Sequence, residues 1–109
     1  MQNHRKGAQF HDSEQIEIYM THMKQTVWLL ITKLDKSILK LRFLVSKLVA
    51  TNYDDVIRVS TQAKGDFQHA LEQMIVQSDP FLFKKTYLDI QSLYDSQKVE
   101  VDSCIKDLR

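Results

Sequence analysis

Val27, Ile31, Leu34, Ile38, Leu41, Val45 and Leu48 follow one another at intervals of four, three, four, three, four and three residues. Those intervals place all seven on one side of an α-helix, which turns every 3.6 residues. No glycine or proline interrupts the chain between Asp12 and Ala50, so nothing in the backbone chemistry opposes one very long helix. Written as heptads, the run has β-branched Ile31, Ile38 and Val45 at the first apolar position, a. Leu34, Leu41 and Leu48 take the second, d, a choice that also suits a two-stranded coiled coil. Leu30 and Leu44 widen the stripe beyond a narrow seam, which favours a packed bundle.

The remainder of the chain is just as poor in helix breakers. Two glycines and one proline occur among 109 residues, of which 43% are hydrophobic. Sheets joined by tight turns need glycine and proline repeatedly, whereas long helices exclude them. The expected class is therefore all-α, in one domain that buries about two-thirds of its unfolded surface. Residues 1–11 show no period and are expected to form a flexible N-terminal tail. Asp12 or Ser13 then caps the first helix, with Gln15 placed to reach back to Asp12.

After Ala50, Thr51 or Asn52 is the expected N-cap of a second helix. Asp54 and Asp55 fall in its first turn, where the helix dipole favours negative charge. Val56, Ala63, Phe67, Ala70 and Met74 share one face of this run, with polar Ser60 at one core position. Gly65 lies mid-run and marks either a close helix–helix contact, the favoured reading, or a bend. Ser78-Asp79-Pro80 is a cap followed by a first-turn proline. Phe83, Tyr87, Ile90, Tyr94, Val101, Cys104 and Leu108 form the third stripe, interrupted at Gln97.

Short connections make successive helices antiparallel. The expectation is an up-down-up three-helix bundle over residues 12–109, with helices at about 13–50, 53–77 and 80–108. A break near residues 21–26 would make four. The corner LVSKLVATNYDDVIRVS, residues 44–60, resembles a hairpin in the helical C-terminal domain of steroid receptor RNA activator protein. The shared features are cap, aromatic and heptad positions, so the likeness implies an antiparallel helix pair and no activity.

Chemistry-bearing patterns are sparse. His4, His11, His22 and His69 have no second His or Cys three or four residues on, the spacing that puts two metal ligands on one helical face. Glu14, Glu17, Glu72 and Glu100 lack the His three residues on that marks di-iron bundles. Gly7 and Gly65 stand alone, without a phosphate-binding loop. Cys104 falls on the apolar stripe, as a small core residue would. No enzyme, metal or cofactor is expected. A single cysteine suits a reducing intracellular compartment, and a cytoplasmic location is the expectation. No run of apolar residues is long enough to span a membrane or serve as a signal peptide.

Net charge is +1. Residues 1–50 carry eight Lys/Arg against four Asp/Glu, while residues 51–109 carry seven against ten. Such asymmetry implies complementary charged faces. Most of the basic excess lies on the first helix, away from its seam. Leu29, Leu39 and Phe43 sit there among Lys33, Lys40 and Lys47, which recur every seven residues, and Lys36.

Three readings of that face compete. The lysine stems could cover the apolar side chains, or another helix of the chain could cover Leu39 and Phe43. The surface could bind an acidic amphipathic partner or a second copy. It could instead meet nucleic acid or anionic lipid, although stacking aromatics and arginines are few, Arg42 being the only arginine in this helix. The expected function is the second: a non-enzymatic protein-interaction domain, of adaptor, regulatory or assembly type. Its binding residues are Leu29, Lys33, Lys36, Leu39, Lys40, Phe43 and Lys47.

Overall fold

The computed structural model describes residues 2–50 and 52–109, with side chains from Glu14 onward except Thr51. Three helices make up the fold: α1 (Gln2–Leu48), α2 (Asp54–Val76) and α3 (Pro80–Leu108). Every pair of them packs together, giving the expected all-α three-helix bundle. Helix α1 runs unbroken through residues 21–26, so the four-helix arrangement is not formed. Helix α1 is already helical from Gln2, so it begins before the expected cap at Asp12 or Ser13 and runs through the expected tail; the side chains of residues 1–13 lie outside those described.

Cross-helix contacts give the direction of each helix. Lys64 bonds to Asp35 at 2.8 Å and Arg42 to Thr61 at 3.2 Å, so α2 descends as α1 rises. Lys24, in the first half of α1, stands 5.9 Å from the ring centroid of Phe83 at the start of α3. The third helix therefore rises again beside the first, up-down-up.

The heptad seam is the core of the structure. Val27, Leu34 and Leu41 are completely buried, with Ile31 and Ile38 nearly so. Met23 extends this row toward the N-terminus, while Leu30 and Leu44 pack along its edges. The seam opens at its far end, where Val45 is half-buried and Leu48 exposed. Phe67 and Met74 of α2 and Phe83, Ile90, Tyr94 and Val101 of α3 complete the buried cluster. Ile105, one residue beyond the expected Cys104, is the buried member of the last turns, and Cys104 is half-buried beside it.

Two further boundaries differ from expectation. Helix α1 stops at Leu48 because Val49 turns left-handed, at φ 52°. The Ala50 N–H then donates to the Val45 carbonyl at 3.0 Å and the Val49 N–H to that of Ser46 at 3.4 Å. These are the two bonds of a Schellman closure, with valine where glycine is customary. Helix α2 starts behind Tyr53, which makes no side-chain capping bond, so Asn52 is not the cap. Thr51 lies outside the described residues. Asp54 and Asp55 do occupy the first turn. At α3 the reading holds without change: Asp79 accepts from the Phe81 N–H at 2.9 Å and Pro80 opens the helix.

Gly65 is not a close contact. It is exposed, and a Cβ built there meets nothing within 4 Å.

Candidate functional site

The outer face of α1 follows from its inner one. A side chain opposite the buried seam of a regular helix points directly away from the bundle. Leu29, Lys36, Phe43 and Lys47 occupy that opposite position, with Lys33 and Lys40 to one side and Leu39 to the other. Leu29, Leu39 and Phe43 are 50%, 55% and 64% exposed, so none is covered by another helix among the described residues. Lys33, Lys36, Lys40 and Lys47 are exposed with them. All seven expected residues therefore lie on one continuous outer surface.

The charge there is largely uncompensated. Among the described residues, Asp35 is the acidic side chain between Leu29 and Leu48, and it pairs with Lys64 of α2. Arg42 turns toward α2 as well, bonding to Thr61. The four lysines make no ion pair among the described residues. Lys47 instead stands over the Phe43 ring, 5.8 Å from its centroid, a cation–π arrangement on an exposed aromatic. Phe43 nevertheless remains largely in solvent.

Trp28 belongs to this surface and was not singled out from the sequence. It is 58% exposed and lies eleven residues, or about three turns, before Leu39 on the same flank. The signal was the spacing Trp28, Thr32, Leu39, Phe43, which reads as a second stripe once the first has been subtracted. The Thr32 hydroxyl bonds to the Trp28 carbonyl at 2.9 Å, satisfying a polar group inside that stripe.

Elsewhere the surface holds open depressions. One, of about 1000 Å³, lies where α1 passes the α2–α3 corner and brings Glu14, Glu17 and His22 to its wall. No three His, Cys, Asp or Glu side chains among the described residues lie close enough together to hold a metal ion. His4 and His11 fall outside the described side chains. A groove of about 490 Å³ between α2 and α3 is lined chiefly by Val59, Phe67, Ile90 and Leu93. Burial pushes the Cys104 thiol up from its ordinary value, with Glu100 and Asp107 acting in the same direction. A thiol shifted this way carries less of the reactive thiolate.

No helix among the described residues is long and apolar enough to cross a membrane. No protein-family model, curated protein or solved structure matches this chain.

Proposed function

We propose that this chain is a non-enzymatic helical protein that binds another protein, or a second copy of itself, through the outer face of α1. The supporting observation is that Leu29, Leu39 and Phe43 are at least half exposed on a helix whose opposite side already supplies a buried seam from Met23 to Leu41. Leaving large apolar side chains in water costs about 25 cal/mol for each Å² that burial would remove, so a bundle gains nothing from them alone. An interface does. Lysines around an apolar strip orient a partner and speed its arrival, while the strip supplies affinity. Helix-in-groove recognition uses apolar anchors on one helix face, and here Leu39 and Phe43 lie one turn apart with Leu29 ten residues before Leu39. The setting proposed is intracellular, which a lone cysteine suits.

The experiment is affinity capture from the native source with wild type beside Leu39→Glu/Phe43→Glu. Wild type should retain a partner that the double variant loses. Equal capture by both would remove this face from the function.

A further inference from the structure

The basic outer face of α1 has an acidic counterpart in the same molecule. Between Leu29 and Leu48, α1 carries Lys33, Lys36, Lys40, Arg42 and Lys47 against Asp35, five minus one, or +4. Between Leu88 and Leu108, α3 carries Asp89, Asp95, Glu100, Asp102 and Asp107 against Lys98 and Lys106, two minus five, or −3. All five of those carboxylates are exposed, and only Asp102 is held in an ion pair within the chain among the described residues, to Lys98.

Apolar side chains interleave with the charge on both faces. On α3, Leu88 is 50% and Val99 69% exposed, eleven residues apart, which brings them to one side of the helix. Ser92, Asp95, Asp102 and Lys106 share that side, opposite the seam of Ile90, Tyr94 and Val101, while Asp89, Glu100 and Asp107 lie about 100° further round the helix. On α1, Leu29 and Phe43 share one side with Lys33, Lys36, Lys40 and Lys47. Each face is about 27 Å long at 1.5 Å per residue. The two faces are opposite in sign and equal in length, and each carries exposed apolar side chains.

These two faces cannot meet inside one molecule, since each points away from the core that α1 and α3 share. We infer that the partner for the outer face of α1 is a second copy of this chain, which presents the outer face of α3. The inference rests on the reading of α1 as a binding surface and names its occupant. Because the two faces differ, the contact is head-to-tail, and each added copy leaves one face of each kind open. Assembly then continues past two subunits until a ring closes or a filament grows. Exposed charge pairs are individually weak and are screened by salt, so the association is salt-sensitive.

Sedimentation velocity of the full chain tests this at about 20 mM and about 0.5 M salt. At low salt, wild type should show species heavier than twice its 12.8 kDa, growing with concentration and lost at high salt. Lys33→Glu/Lys40→Glu/Lys47→Glu should stay monomeric, as should Asp95→Lys/Asp102→Lys, while mixing the two variants restores heavy species. A wild type that stays monomeric throughout overturns the inference and leaves the α1 surface to the capture experiment. Association abolished by the lysine reversal but untouched by the aspartate reversal overturns the α3 docking face and keeps the α1 surface. Association indifferent to both reversals overturns both.

Discussion

The hydroxyl of Ser60 on α2 donates to the side-chain carbonyl of Gln97 on α3 at 3.1 Å. Each residue is the polar gap in its own helix's apolar stripe, and the two gaps face one another. Ser60 is 1% exposed and is the buried polar residue of the described core. No buried side-chain nitrogen or oxygen among the described residues lacks a partner. A buried hydrogen bond at this point fixes how far α2 slides along α3, because any shift of one turn would leave the hydroxyl unpaired.

Removing one partner should therefore cost more than removing both. Ser60→Ala is expected to destabilise by about 1 kcal/mol and Gln97→Ala by about 1–3 kcal/mol, since the latter strands a buried hydroxyl. Ser60→Ala/Gln97→Leu should lie nearer wild type than the sum of the single changes, with a coupling of about 1 kcal/mol. Urea unfolding of the four proteins measures this. Strict additivity would mean that the bond contributes nothing.

Val49 is a β-branched residue held at φ 52°, and its side chain is 83% exposed. The left-handed conformation costs a non-glycine residue about 1–2 kcal/mol, and no packing compensates for it here. Val49→Gly should stabilise by about 0.5–1 kcal/mol after glycine's greater freedom in the unfolded chain is subtracted. A lower melting temperature for this variant would contradict the assigned closure of α1.

Gly65 offers the opposite substitution. It lies inside α2 with open space around the missing Cβ, so Gly65→Ala should stabilise by about 1 kcal/mol. That corresponds to a rise of about 4–8 °C in melting temperature for a domain of this size. Thermal unfolding followed by circular dichroism would show it. A loss of stability would mean that the glycine serves a contact or a bend.

Cys104 is half-buried, and its thiol is pushed up chiefly by burial and then by Glu100 and Asp107. At pH 7–8 it should alkylate more slowly than an unstructured cysteine, with the rate rising as pH rises. Iodoacetamide labelling of native and urea-unfolded protein makes the comparison. Equal rates at neutral pH would show that the helix does not protect the thiol.

What the sequence made legible was whatever repeats. The seam from Val27 to Leu41 shows in the spacing because one helix face must be apolar throughout, and Asp79-Pro80 shows because cap and proline act within a single turn. Ser60 and Gln97 were each visible as defects, but periodicity along a helix carries no information about which defects meet across helices. Termination at Val49 was hidden for a related reason: the residue that takes the left-handed position is normally glycine, and here it is one of the least suited. Ile105 replaced Cys104 as the buried residue because neighbouring positions differ by only 100° around the axis, and packing against α1 and α2 decides between them. The lysine-bordered face was legible by subtraction of the seam. Trp28 was missed since a single residue at the end of a stripe has no period of its own.

The outer face of α1 should be dispensable for folding if it is a binding surface. Circular dichroism of Leu39→Glu/Phe43→Glu tests it without reference to any partner. Both side chains are already more than half in solvent, and surface substitutions of that kind change stability by roughly 0.5 kcal/mol or less each. The double variant should keep wild-type helicity and melt within a few degrees of wild type. Loss of helical signal, or a collapse in melting temperature, would make Leu39 and Phe43 part of the core and leave the proposed surface without support.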